Sequence, residues 1–297
     1  MSRESDVFDR HLGRVATLTI ERFGKSGAFL SDPAARSGGP RATVLLVGSE
    51  IPEGAREGDI LSVFVYLDSE DRPLATTRVP LLTVGEVAFL RITARTHFGA
   101  FAAWGLPKEL LVPRAEQTQE LQIGERHPIG LYVDETGRLA GTMRVSELLN
   151  DAPLELQREQ WIVGEAWRND PEIGLFVILN KRRVGLLPRH EPHQLARGQA
   201  ARFRVAHVLP DGKVELSLRG PAHEELRADA QKVLGVLSRP DAPACGDHSP
   251  PEQIRAWFGL SKKAFKRAVG HLLKQGTVML DADGRVRLSR PHQAVGR

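Results

Sequence analysis

Apolar and polar residues alternate in short runs up to about residue 220, and the pattern occurs three times. Each copy opens on a glycine-led strand: Gly13 before R-V-A-T-L-T-I, Gly85 before E-V-A-F-L-R-I, and Gly164 before E-A-W-R. A Gly-X-Phe triplet follows, at Gly27-Ala28-Phe29, Gly99-Ala100-Phe101 and Gly174-Leu175-Phe176. The two glycines stand 14 residues apart in the first two copies and 10 apart in the third. A second glycine-led strand, a polar turn and a closing strand that ends in Arg complete each unit. That span is 20 residues from Gly58 to Arg78, 20 from Gly124 to Arg144 and 21 from Gly198 to Arg219. Short alternating strands broken by polar turns predict small antiparallel barrels. Five strands per copy, three up to the Leu-Leu-Pro region and two after it, suit the OB fold. A unit of this size can hold its own core, which argues against a solenoid.

The period changes after Arg219. Residues 222–238 read as an amphipathic helix, followed by the Pro/Gly-rich connection R-P-D-A-P-A-C-G-D-H. Ser249, Pro250, Pro251 and Glu252 predict a capped helix start, and that helix ends near Phe258-Gly259. Ser261 caps a second helix, on which Phe265, Val269, Leu272 and Leu273 share one face. Lys262, Lys263, Lys266, Arg267 and Lys274 occupy an adjacent face, and Gly276 stands at the C-terminal cap. T-V-M-L-D-A-D-G-R-V-R-L-S then predicts a hairpin turning at Asp283-Gly284. Helix, helix, basic helix and hairpin outline a winged helix. The expected architecture is mostly β with a C-terminal α+β domain: barrels over 1–80, 81–150 and 151–220, and a winged helix over 221–297.

Charge sharpens this picture. The chain of 297 residues carries a net +4, but residues 222–297 hold 13 Lys/Arg against 8 Asp/Glu, and the rest holds 28 against 29. A local positive excess favours a polyanionic partner. The single cysteine, Cys245, excludes an internal disulfide and a multi-Cys zinc site, and a reducing cytoplasm is the expected location. No apolar run approaches the roughly 20 residues of a membrane span, and the charged start M-S-R-E-S-D lacks a signal peptide's apolar core. No membrane association, metal or cofactor is expected. His97, His127, His190, His193 and His207 lack partners at metal-ligand spacing, and no phosphate-loop motif occurs. Asp68, Glu70, Asp71, Asp134 and Glu135 fall in hairpin turns, where Asp is expected. They leave a metal-dependent nuclease as the one catalytic reading beside a binder without catalytic residues.

The repeats resemble S1-type RNA-binding domains. The second copy carries V-G-E-V…F-G-A-F…L-L-V-P…G-E…G-R-L-A-G-T-M-R, and the third I-V-G-E-A…I-G-L-F-V…V-G-L-L-P…R-G-Q…G-K-V-E-L-S-L-R. With Gly105-Leu106-Pro107-Lys108 leading to Leu111-Val112-Pro113 and Gln117, nearly the whole chain resembles the bacterial conserved virulence factor B family. The resemblance implies three consecutive S1-type domains, a C-terminal winged helix, RNA binding, and a role in post-transcriptional or translational regulation of gene expression. The chain departs from the S1 pattern at Pro113 and Pro188, where a polar or His-containing sequence is usual. It departs again in the extended first-copy loop S-D-P-A-A-R-S-G-G-P-R-A.

Single strands are held by aromatic platforms under bases and by basic groups at phosphates. Phe98, Phe101 and Trp104 form the densest aromatic group, with Trp104 read as exposed and Lys108 and Arg114 near for phosphate. Strict alternation would place Phe98 and Phe101 on opposite faces, whereas a bulge at Gly99 would unite them. Phe101 also has counterparts in Phe29 and Phe176, so it reads equally as barrel core. In the third copy Phe176 is followed by Lys181, Arg182, Arg183 and Arg189, open to a phosphate-binding or a solvated-turn reading. The helix bearing Lys262, Lys263, Lys266, Arg267 and Lys274 would supply affinity with little base specificity. The partner these features favour is single-stranded RNA. The rivals are duplex DNA read by the winged helix, with Arg285 and Arg287 on the wing, and a scaffold docking on a ribosome or another protein.

Overall fold

The computed structural model describes residues 8, 10–34, 43–149, 155–220 and 222–289, and it divides into two units, Met1–Leu216 and Ser217–Arg297. Most of the extended first-copy loop lies outside the described residues.

The first unit is built from three five-stranded barrels of one topology. The first comprises β1 (Val15–Gly24), β2 (Gly27–Ser31), β3 (Val44–Val47), β4 (Ile60–Leu67) and β5 (Pro73–Thr76), closed in the order β1-β2-β3-β5-β4. Only β3 and β5 run parallel, with Leu45 opposite Leu74. The third repeats this with β11 (Trp161–Asp170), β12 (Gly174–Leu179), β13 (Arg183–Pro188), β14 (Ala200–Val208) and β15 (Val214–Ser217). The second, β6 (Val87–Arg95), β7 (Gly99–Ala103), β8 (Leu110–Pro113), β9 (Arg126–Val133) and β10 (Leu139–Thr142), has the sheet order β10-β9-β6-β7-β8. Its two edge strands still meet: a Cβ on Gly141 of β10 would stand 2.9 Å from Val112 of β8.

The Gly-X-Phe glycine is required by a close strand crossing. A Cβ on Gly27 would lie 1.9 Å from the Leu46 carbonyl oxygen, and one on Gly174 would lie 2.2 Å from that of Leu187. The opening glycines are different. Gly13 and Gly85 adopt φ of 71° and 83°, and their amides donate to Val65 and Leu131 carbonyls at 2.8 and 2.9 Å. In the third barrel that place belongs to Glu159, not to Gly164, which lies inside β11. Glu159 has φ of 70°, and its amide donates to the Val205 carbonyl at 2.8 Å. Its carboxylate also pairs with Arg204 at 2.9 Å. Counting from Glu159 removes the apparent shortening of the third copy.

Each barrel's first strand carries a register shift at the same point: between Ile20 and Arg22, between Ile92 and Ala94, and between Ala166 and Arg168. The bulged residues are therefore Glu21, Thr93 and Trp167, each eight positions beyond the residue at positive φ. The expected bulge at Gly99 is instead at Thr93, on the partner strand. A bulge bends its strand and re-aims the side chains beside it.

The repeated terminal arginine is structural in the first two barrels. Arg78 Nε lies 3.1 Å from Glu50, and Arg144 Nε lies 3.8 Å from Glu116, each glutamate ending a short 3-10 turn after the third strand. These pairs tie the exit of the third strand to the exit of the fifth.

The three barrels share buried surface. Phe64 and Tyr66 on the outside of β4 pack with Leu82, Trp104 and Leu106 in one continuous core. Trp104 is 2% exposed, meets Phe64 edge-on at 5.7 Å, and donates from Nε1 to the Lys108 carbonyl at 2.5 Å. Between the second and third barrels, Val87, Phe89, Val145 and Leu149 pack against Ile178. The Val87 amide donates to the Lys181 carbonyl at 2.7 Å. The helical turn α1 (Val145–Leu148) belongs to this contact.

The second unit contains α2 (Ala222–Leu237), α3 (Pro251–Phe258), α4 (Lys262–Lys274) and the hairpin β16 (Val278–Leu280) with β17 (Val286–Leu288). Val233, Ile254, Phe258, Phe265 and Leu272 form its core around buried Cys245. The Val286 amide donates to the Cys245 carbonyl at 2.8 Å, which adds a third extended segment to the hairpin. Ser261 caps α4 by accepting from the Ala264 amide at 3.2 Å, and Gly276 follows its end with φ of 69°. Two local expectations change. Ser249 does not cap α3: its hydroxyl accepts from the Gly246 amide at 3.0 Å, and Pro250 holds the cap position. Leu273 remains 37% exposed, and Ala268 takes its place in the buried face.

Two expected outcomes follow. Trp104→Ala removes the ring that joins the first two barrels and lowers stability by about 3–5 kcal/mol in urea unfolding; an unchanged midpoint would contradict the shared core. Gly174→Ala drives a Cβ into the Leu187 carbonyl and costs about 3 kcal/mol. Gly235→Ala is the contrasting control, in exposed helix with nothing within 4 Å, and gains up to about 1 kcal/mol.

Candidate nucleic-acid interface

The turn Thr96–Gly99 positions the aromatic pair of the second barrel. Thr96 closes it, its amide and hydroxyl donating to the Gly99 carbonyl at 2.8 and 3.1 Å. The Arg114 amide donates to the Phe98 carbonyl at 2.9 Å, anchoring the turn to the end of β8. Phe98 thus projects 49% exposed and meets Phe101 edge-on, with centroids 6.1 Å apart and planes at 89°. Phe101 is half-buried on β7, opposite Ala94 and Leu111. Bulged Thr93 donates from its hydroxyl to the Phe101 carbonyl at 3.1 Å.

Phe101 lines an open groove of about 750 Å³ between the first two barrels, with Leu111, Pro113, Tyr66, Lys108 and Arg138. Trp104 borders it but is buried, so the base-stacking role expected of it does not hold: its ring is committed to Phe64. Lys108 is exposed, yet its ammonium already donates to the Asp68 carbonyl at 2.6 Å. Arg138 is ion-paired with Asp71.

The acidic clusters are turn caps. Burial alone would raise the Asp134 carboxyl, but hydrogen bonds from the Thr136 hydroxyl and the Arg138 and Thr136 amides hold it below the usual carboxylate range. Asp68 is depressed in the same way, its desolvation outweighed by the Arg72 and Glu70 amides and the Arg72 guanidinium. Among the described residues no group of three or more His, Cys, Asp or Glu could hold a metal ion.

In the third barrel, Phe176 lies beneath Arg168, whose guanidinium carbon is 4.7 Å from the ring centroid. Both line a groove of about 740 Å³ with Arg183, Lys213, Leu186 and Pro188. The run 181–183 is divided. Arg183 turns into this groove. Lys181 is an exposed turn residue with φ of 62°. Arg182 is a strut between barrels rather than a phosphate ligand: it pairs with Glu86 at 3.1 Å and reaches the Thr83 hydroxyl at 3.4 Å. Arg189 is exposed and pairs with Glu172 at 3.2 Å, a surface contact of small energy. At the same barrel contact, burial pushes the Glu165 carboxyl up, partly countered by Arg126.

On α4, Lys263, Arg267 and Lys274 are exposed and make no ion pair among the described residues. Lys262 is half-buried, and Lys266 pairs with Asp247 at 2.6 Å. On the wing, the exposed Arg285 and Arg287 pair with Asp283 at 3.6 Å and Asp281 at 3.1 Å, surface contacts of small energy. Arg168, Lys213 and Ala94 were missed as site residues. The count from Glu159 places Arg168 and Ala94 at equivalent positions, whereas Lys213 carries no such signal.

Residues 12–78 and 84–144 match the S1 domain, and residues 232–288 match the CvfB-like winged helix domain. The chain is 32% identical over 278 residues to protein YitL of Bacillus subtilis, covering 90% of each. It is 28% identical over 243 residues to conserved virulence factor B of Staphylococcus epidermidis, covering 78% of this chain and 81% of that one. A crystal structure of a multidomain protein with nucleic acid binding domains from Streptococcus pneumoniae shares 25% identity, covers 94% of this chain and 99% of that one, and superposes with a TM-score of 0.39. No helix among the described residues is long and apolar enough to cross a membrane. With S1 domains followed by a CvfB-like winged helix, and a relative matched at this identity along nearly its full length, the chain belongs to the conserved virulence factor B family.

Proposed function

We propose that the protein binds single-stranded RNA, without catalysis, and acts in post-transcriptional or translational regulation of gene expression. The observation that carries this reading is the Phe98–Phe101 corner, an aromatic pair presented on the second barrel at the edge of an open groove. S1-type barrels and winged helices are nucleic-acid-binding folds, and an unpaired base offers the face that such a corner needs. Arg183 and Arg168 in the third barrel, and Lys263, Arg267 and Lys274 on α4, supply phosphate contacts. Lysines and arginines in such positions add affinity and salt dependence without reading sequence.

Titration of the full chain with labelled single-stranded RNA and duplex DNA, at several salt concentrations, tests this. RNA is expected to bind more tightly at every salt concentration. Phe98→Ala/Phe101→Ala weakens RNA binding about tenfold or more while leaving the salt slope intact, as loss of roughly 1–3 kcal/mol of stacking requires. Lys263→Ala/Arg267→Ala/Lys274→Ala flattens the slope by about 2, the value for three phosphates of a single strand. Failure to bind RNA at low salt would overturn the reading and favour a protein-docking scaffold.

A further inference from the structure

We infer that the residue just after the bulge in each barrel's first strand selects which barrel accepts a stacked base. Ala94 leaves the ring of the second barrel open, and arginines cover the equivalent rings of the first and third. The inference rests on the RNA reading above and deepens it by assigning bases to one barrel and phosphates to another.

The three barrels can be compared residue by residue. Arg22 lies opposite Phe29, Ala94 opposite Phe101, and Arg168 opposite Phe176. On the third strand the neighbours are Leu45, Leu111 and Leu186. In the first barrel the Arg22 guanidinium carbon sits 3.8 Å from the Phe29 centroid, which is stacking distance. In the third, Arg168 sits 4.7 Å above Phe176. A base entering either barrel must first displace a planar cation from the face it would use. The Ala94 methyl cannot reach across Phe101, and the Phe98 ring stands perpendicular to it. Among the described residues no guanidinium lies over Phe101, which lines the groove.

The covered barrels are not idle. A guanidinium over a ring still carries N–H donors suited to phosphate oxygens. In the third barrel Arg168 shares its groove with Arg183 and Lys213. That groove suits the sugar-phosphate backbone, whereas the second barrel's groove offers an aromatic face and cations already engaged by Asp68 and Asp71.

The test compares a uridine oligonucleotide with an abasic ribose-phosphate oligomer of the same length and charge, binding to the full-length wild type, Ala94→Arg and Arg168→Ala. The wild type is expected to prefer the base-bearing strand about tenfold. Ala94→Arg brings that ratio to near one, although the variant carries one more positive charge. Arg168→Ala raises the ratio by uncovering Phe176, and flattens the salt slope by about 0.7. An unchanged ratio in Ala94→Arg that folds as the wild type does would overturn the inference. Arg168 is exposed, so Arg168→Ala decides alone if Ala94→Arg does not fold, and an unchanged ratio there overturns the inference as well. A wild type that binds neither oligomer at low salt overturns the RNA reading itself, and this inference with it. A wild type that binds with no base preference overturns the assignment of bases to the second barrel while leaving nucleic-acid binding in place.

Discussion

A one-residue bulge in the first strand of each barrel organises the surface next to it. Glu21, Thr93 and Trp167 are the extra residues, and each bulge shifts the register so that the following side chain faces the Phe of the Gly-X-Phe triplet. Without it, strict alternation would carry that side chain to the other face of the sheet. The glycine of the triplet belongs to the same device. It lets the second strand approach the carbonyls of the third so closely that no Cβ fits, as at Gly27 and Gly174. Backbone geometry alone therefore sets an aromatic ring and one neighbour at the same place three times. The identity of that neighbour distinguishes the barrels.

The barrels are also joined by residue types that usually mark binding sites. Trp104 closes on Phe64, and Arg182 closes on Glu86. Each would suit a nucleic-acid surface if it were exposed. Trp104, buried between the first two barrels, also borders the groove beside Phe101, whereas Arg182 ties the third barrel to the second. The half-buried pairing of Arg182 adds little net stability, since desolvation offsets much of its attraction.

The barrel count, the five strands of each copy and the winged-helix outline were legible in the sequence because they rest on local rules. Alternation marks strands, close crossings demand glycine, and Ser261 and Gly276 cap a helix by contacts within a few residues. The site was less legible. Trp104 and Arg182 find their partners 40 and 96 residues away in sequence, in neighbouring barrels, and no local pattern reports such a contact. Gly164 was mistaken for the opening glycine because Glu159 fills that place in a left-handed conformation that a sequence pattern assigns to glycine. That slip hid the equivalence of Arg22, Ala94 and Arg168. Phe98 and Phe101 were found by composition, but their meeting depends on the turn Thr96–Gly99, and the bulge lies at Thr93, on the opposite strand from the one anticipated.

Photocrosslinking tests the central claim most directly. Single-stranded RNA carrying 4-thiouridine, bound to the full chain and irradiated, would be mapped by mass spectrometry of the digested complex. The account predicts the dominant base crosslink in the segment from Thr96 to Lys108, at Phe98 or Phe101. Crosslinks confined to the rings of the first or third barrel, or to the winged helix, would contradict it.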